Sequence, residues 1–173
     1  MPSVHASAVL VGARAVLIRG PSGAGKSRLT LALLRADSFD GAYPYRQTGV
    51  HPGSSPGQAF AGICARGRPA FAMLVADDRS HLEPHHGRLL VRPARGLAGL
   101  IEVRGLGIRR LPYEPVAVVG LVVDLAALDG ERVPSPASRR VTIDGIELSR
   151  LAVAPRADPL PLVLAALATE PGG

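Results

Sequence analysis

Tryptophan is absent, aromatic residues make up only 3% of the chain, and there is one cysteine. Lysine is almost absent too: Lys26 is the only one, and every other permanently cationic side chain is arginine. Each scarcity excludes something. A lone Cys64 rules out an internal disulfide and a cysteine-based metal centre. The formal charge of +6 invites a nucleic-acid reading. However, the arginines are scattered, no run of five like charges occurs, and few rings are available to stack on bases. The longest apolar stretches, Val116–Val123 and Leu160–Ala168, are too short to span a bilayer. Met1–Ser7 lacks a basic-then-apolar targeting pattern. The expectation is a soluble, cytoplasmic protein without membrane or nucleic-acid partners. Its positive charge would attract smaller acidic things, a nucleotide or an acidic protein face.

What remains is ordinary globular material. A chain of 173 residues, 47% hydrophobic and 20% charged, is expected to form a single domain over residues 1–173. Ala8–Val11 and Arg14–Arg19 read as strands about Gly12, and Lys26–Ala36 as a helix with Leu29, Ala32, Leu33 and Ala36 on one face. Residues 37–68 are rich in proline, glycine and serine and read as a loop insertion, with a turn or two of helix at Gln58–Ala65. Further strands are expected at Ala70–Ala76, Leu89–Arg92, Leu100–Arg104 and Val116–Leu125. A hairpin is expected at Val141–Ile143 and Glu147–Ala152 around Asp144–Gly145, then a helix at Leu160–Ala168. This is an α/β domain with more strand than helix.

The strongest motif is Gly20, Pro21, Ser22, Gly23, Ala24, Gly25, Lys26, Ser27, which fits the phosphate-loop pattern with no mismatch. An apolar strand precedes it and a helix follows, as the motif requires. The glycines let backbone N–H groups turn towards phosphate oxygens, and the helix N-terminus adds its dipole. Lys26 would reach the terminal phosphates, and the Ser27 hydroxyl would hold Mg²⁺. A sequence that avoids lysine elsewhere retains it where a compact point charge is needed.

Asp77 and Asp78 close the apolar run before them. Adjacent side chains at a strand end diverge, so one carboxylate can face nucleotide and metal while the other faces a hydroxyl or an arginine. Glu102, inside the run Leu100–Ile108, is expected to be buried and to need Mg²⁺ or Arg104 as partner. His51, His81, His85 and His86 read as surface residues, with no zinc-type spacing.

Together, Val4-His5-Ala6-Ser7, the loop Gly20–Ser27, Val75-Ala-Asp-Asp78 and Ile101-Glu-Val-Arg-Gly-Leu-Gly-Ile108 resemble the catalytic domain of HPr kinase/phosphorylase. The Glu-Val-Arg-Gly-Leu-Gly run is the most specific of these. The likeness covers most of residues 4–168 outside 37–68 and is similar to the short alphaproteobacterial form without an N-terminal domain. It implies a P-loop domain like the nucleotide-binding core of phosphoenolpyruvate carboxykinase, with a strand-rich mixed sheet. It also implies ATP- and Mg²⁺-dependent phosphorylation of a serine on an HPr-type phosphocarrier, reversal by dephosphorylation, and assembly as a homohexamer. Carried over by motif, His5, Lys26, Asp77, Asp78 and Arg132 are catalytic, Asp78 being the base for the serine proton. Ser27 and Glu102 are the Mg²⁺ ligands. Two features depart from the family pattern. The stretch 37–68 is inserted, and Val153–Asp158 lacks the basic Gly-Arg-Asn pattern used for dephosphorylation, although Arg156 remains. Two other readings stay open: a P-loop kinase for a small metabolite, and a non-catalytic ATP-binding regulatory module.

Overall fold

The computed structural model describes residues 3–36 and 71–169. The insertion expected at 37–68, including Gln58–Ala65 and His51, lies outside them. The chain begins with β1 (Ser3–Val4), β2 (Ala6–Val11) and β3 (Arg14–Arg19), and α1 (Lys26–Ala36) follows. Next come β4 (Ala72–Ala76), β5 (Ser80–His85), β6 (Arg88–Pro93), β7 (Leu100–Val103) and β8 (Gly107–Arg110). The long strand β9 (Ala117–Leu125), β10 (Arg140–Ile143), β11 (Ile146–Val153) and α2 (Pro159–Ala168) complete it.

Nine strands form one mixed sheet: seven follow the order β1-β5-β6-β9-β3-β2-β4, and β11, with β10 antiparallel beside it, branches off. It forks at β9. One edge of β9 runs parallel to β3. The other is shared: Ala117 and Val118 pair with β6 antiparallel, while Leu121–Leu125 pair with β11 parallel. The remaining two strands, β7 and β8, form a separate hairpin.

Apolar residues on both faces of the sheet explain two cores. On one face Val9, Val11, Val16, Ile18, Leu121, Val123 and Leu125 pack against Leu29 and Leu33 of α1 and Val163 and Leu167 of α2. On the other, Ala8, Leu17, Val119 and Val122 pack with Val75, Leu89, Val91 and Leu148. Full burial of each leucine or isoleucine contributes about 1.5–3 kcal/mol. In β9, Val119 belongs to one core and Leu121 to the other, with Val122 back in the first. A register shift against β3, where Ala15 meets Val119 and Val16 meets Leu121, skips Gly120. That bulge explains the glycine: a Cβ on Gly120 would stand 2.6 Å from Cδ of Arg14.

The helices and most strands fall where the sequence places them. The expected Asp144–Gly145 turn has φ of 48° and 78°, both positive, as a tight two-residue hairpin demands. Three strands, β1, β5 and β8, were not expected. β5 reads Ser-His-Leu-Glu-Pro-His and has no apolar alternation of its own; it is held by pairing with β1 and β6. Its His81 is half-buried, with Nδ1 shielded from solvent, so it is not the surface residue expected. Among the described residues no helix is long and apolar enough to cross a membrane.

Candidate active site

The loop between β3 and α1 is shaped by its glycines. Gly20, Gly23 and Gly25 have φ of 147°, 79° and 96°, which side chains with a Cβ rarely adopt. Gly20 is sterically fixed as well, since a Cβ there would lie 3.0 Å from the Leu125 carbonyl oxygen. The first helical bond, from Leu29 N–H to the Gly25 carbonyl at 2.9 Å, fixes where α1 begins. Lys26 opens the helix and is only 7% exposed. Its Nζ donates to the carbonyls of Gly20 (3.0 Å) and Pro21 (3.1 Å). Burial lowers the Lys26 pKa from its ordinary value, and the charges of Asp78 and Asp77 only partly offset that.

The two aspartates at the end of β4 diverge, as expected. Asp77 is 4% exposed and turns inward. It accepts hydrogen bonds from Ser7 Oγ (2.6 Å) and Ser27 Oγ (2.9 and 3.0 Å), and its Oδ2 accepts from the Glu102 backbone N–H at 3.3 Å. One buried carboxylate thus ties together β2, the phosphate loop and β7. Asp78 sits in the left-handed region with φ of 63°, so the chain turns and its side chain, 64% exposed, points outward. His5 Nε2 lies 3.1 Å from Asp78 Oδ1.

These groups surround a cavity of about 620 Å³. His5, Ser22–Ser27, Asp78, Glu102 and Arg104 line it. The structure therefore brings together His5, Lys26, Ser27, Asp77, Asp78 and Glu102, drawn from β2, α1, β4 and β7 and their adjoining turns. Arg132 is not brought in: it is exposed in the loop between β9 and β10 and does not line the cavity. Glu102 differs from expectation too. It is exposed rather than buried, among the described residues it has no ion pair with Arg104, and it lines the cavity.

Ser7 is a site residue that the sequence reading quoted without assigning a role. The signal was a hydroxyl within the apolar strand Ala6–Val11, because a fully buried hydroxyl needs a partner. Behind the loop lies a further network. Arg19, the residue before Gly20, forms a two-pronged bond to Asp124 (Nε 2.7 Å, second prong 2.8 Å). Arg150 bonds the same carboxylate at 2.6 Å and reaches Asp129 as well. Burial alone would push the Asp124 carboxyl up, but the hydrogen bonds and charges of Arg19 and Arg150 together hold it below the usual range. The hydrogen bonds that Arg150 donates to Asp129 and Asp124 in turn raise its own pKa.

The donor set fits a hard, oxygen-seeking dication. Ser27 and Glu102 offer only oxygen and both line the cavity, with the buried Asp77 carboxylate bonded behind Ser27. Among the described residues no three His, Cys, Asp or Glu side chains form a self-sufficient metal cage.

Fold and loop together define a strand-rich mixed α/β domain built around a phosphate-loop sequence. No protein-family model matches the chain, and no curated protein matches its sequence. A solved structure does match: the HPr(Ser) kinase/phosphatase from Coxiella burnetii, with a TM-score of 0.63 over 95% of this chain and 91% of that one. The sequence identity is 22%. The chain has the fold of that kinase/phosphatase.

Proposed function

We propose that this protein is an ATP- and Mg²⁺-dependent protein-serine kinase acting on an HPr-type phosphocarrier. The observation that carries the reading is the division of labour between Asp77 and Asp78. Asp77 is turned inward and bonded to Ser27, as expected of an acid that orients a metal-binding hydroxyl. Asp78 is turned outward beside His5, open to an incoming hydroxyl. Such exposure suits a serine on a protein surface better than an enclosed metabolite.

The chemistry follows from the residues. Backbone N–H groups of residues 23–27 and the start of α1 would cradle the nucleotide's phosphates. Lys26 would exchange its loop carbonyls for the terminal phosphate oxygens. Ser27, with Asp77 behind it, and Glu102 would hold Mg²⁺, which when bound neutralises charge on the transferred group. Asp78 would accept the serine proton as the hydroxyl attacks, with His5 keeping its carboxylate oriented. Run backwards, the same pair would deliver a proton to the serine oxygen, which is what dephosphorylation at this site would require. A cytoplasmic location, hexameric assembly and the likeness to the phosphoenolpyruvate carboxykinase core belong to the same reading.

The test is mass spectrometry of an HPr-type carrier incubated with this protein, ATP and Mg²⁺. One phosphoryl group should appear on a serine, and none with Lys26→Ala. Asp78→Asn should bind nucleotide almost normally yet transfer at least about a hundredfold more slowly, the usual scale of a lost general base. ATP binding with no transfer would point instead to a regulatory module, and transfer to a small molecule alone to a metabolite kinase.

A further inference from the structure

The β7–β8 hairpin borders the cavity and leaves apolar side chains uncovered. Every residue of β8 is exposed, and its apolar members are bare: Ile108 is 68% exposed and Leu106, in the turn, 58%. Neither strand joins the main sheet. Exposed apolar side chains of this size, grouped and edged by charge, mark interaction surfaces.

The register gives this surface a direction. Glu102 pairs with Ile108, and Leu100 with Arg110. Residues directly opposite on antiparallel strands share a face, and alternate residues along a strand share it too. Ile108 and Arg110 therefore lie on the same face of the hairpin as Glu102, which lines the cavity. The apolar and cationic surface is a continuation of the cavity wall. Arg104 and Arg110 have no ion pair among the described residues, so their positive charge is not neutralised locally.

We propose that this hairpin face is the docking platform for the phosphoacceptor protein, which seats an apolar patch on Leu106 and Ile108 and presents carboxylates to Arg110. This rests on the protein-kinase reading above. A serine hydroxyl stands one carbon from its backbone. To reach Asp78 the acceptor's own surface must descend into the cavity mouth, and its neighbouring residues then meet the hairpin. A small metabolite would need no such platform. The acceptor is thus identified by chemistry: a folded protein whose reacting serine is flanked by exposed apolar side chains and rimmed by acids.

The test is steady-state kinetics with a purified HPr-type carrier, comparing wild type, Leu106→Ser/Ile108→Ser and Arg110→Glu. None of the three substituted residues lines the cavity. The expected result is an acceptor KM raised about tenfold or more in each variant, the scale of losing one or two anchoring contacts. The KM for ATP and the rate at saturating acceptor should stay within about twofold. In wild type the acceptor KM should also rise as salt goes from about 50 to about 500 mM, and Arg110→Glu should lose that dependence. If the acceptor KM is unchanged in the variants, the platform is wrong. If it rises together with a fall in sedimenting mass, the hairpin joins subunits and the proposal is again overturned. Arg110→Glu, a fully exposed change, keeps the test open should the double variant not fold. If wild type binds MgATP and transfers nothing to the carrier, the kinase reading fails and takes the platform with it, an outcome distinct from the other two.

Discussion

Asp77 shows how much one buried carboxylate organises. Its partners come from β2, the phosphate loop and β7, so its hydrogen bonds act as a clamp across three elements. Ser7→Ala should lower stability by about 1–2 kcal/mol, the cost of leaving a buried acceptor short of a donor. It should also raise the Mg²⁺ concentration needed for half-maximal transfer, which a purely structural loss would leave unchanged. Denaturant melts and a Mg²⁺ titration check the two effects. Asp124 supports the loop from behind, and its effect is readable in pH. Its carboxyl is held low in the fold, so its contribution is complete above the ordinary carboxylate pKa of about 3.9 and disappears as pH falls through the lower folded value. Asp124→Asn should therefore cost about 2 kcal/mol at pH 7, in line with charged hydrogen bonds, and less near pH 3. Urea midpoints at the two pH values measure the difference.

The elements that the sequence made legible were those whose pattern is local. α1 is marked at its start by the phosphate loop, β9 by a continuous apolar run, and the β10–β11 hairpin by its Asp144–Gly145 turn. The strands that escaped are made by their neighbours. β5 carries histidines and a proline and exists because β1 and β6 flank it, while β8 has a single apolar residue, Ile108, and is paired only to β7. The site was legible for a similar reason: Lys26, Ser27, Asp77 and Asp78 sit in short motifs with their own grammar. Ser7 and Asp124 were not, because their roles depend on residues 70 and 105 positions away. Glu102 was placed in the right strand but on the wrong side of the solvent boundary, since β7 packs in a lone hairpin whose one face stays open. The closing helix offers a clean test at this scale. Asp158 caps α2 by accepting from Leu160 N–H at 3.2 Å, so Asp158→Ala should lower stability by about 1 kcal/mol, seen as a reduced urea midpoint.

For the molecule as a whole, the fold commits its phosphate loop to the junction of the sheet and both helices, so ligand binding should be felt globally. MgATP at about a hundred times its Kd should stabilise the protein by about 2.7 kcal/mol, a rise in melting temperature of about 5–10 °C. Lys26→Ala should show little of that rise, and scanning calorimetry with and without MgATP compares them. The bulge at Gly120 has its own consequence for how such a chain can vary. On its N-terminal side β9 is in one phase and on its C-terminal side in the opposite phase, so the strand serves the two cores in turn. Gly120 is the extra residue: deleting it would leave Val119 opposite Ala15 and Leu121 opposite Val16, so Leu121–Leu125 would keep their faces and the strand would lose only its local bend.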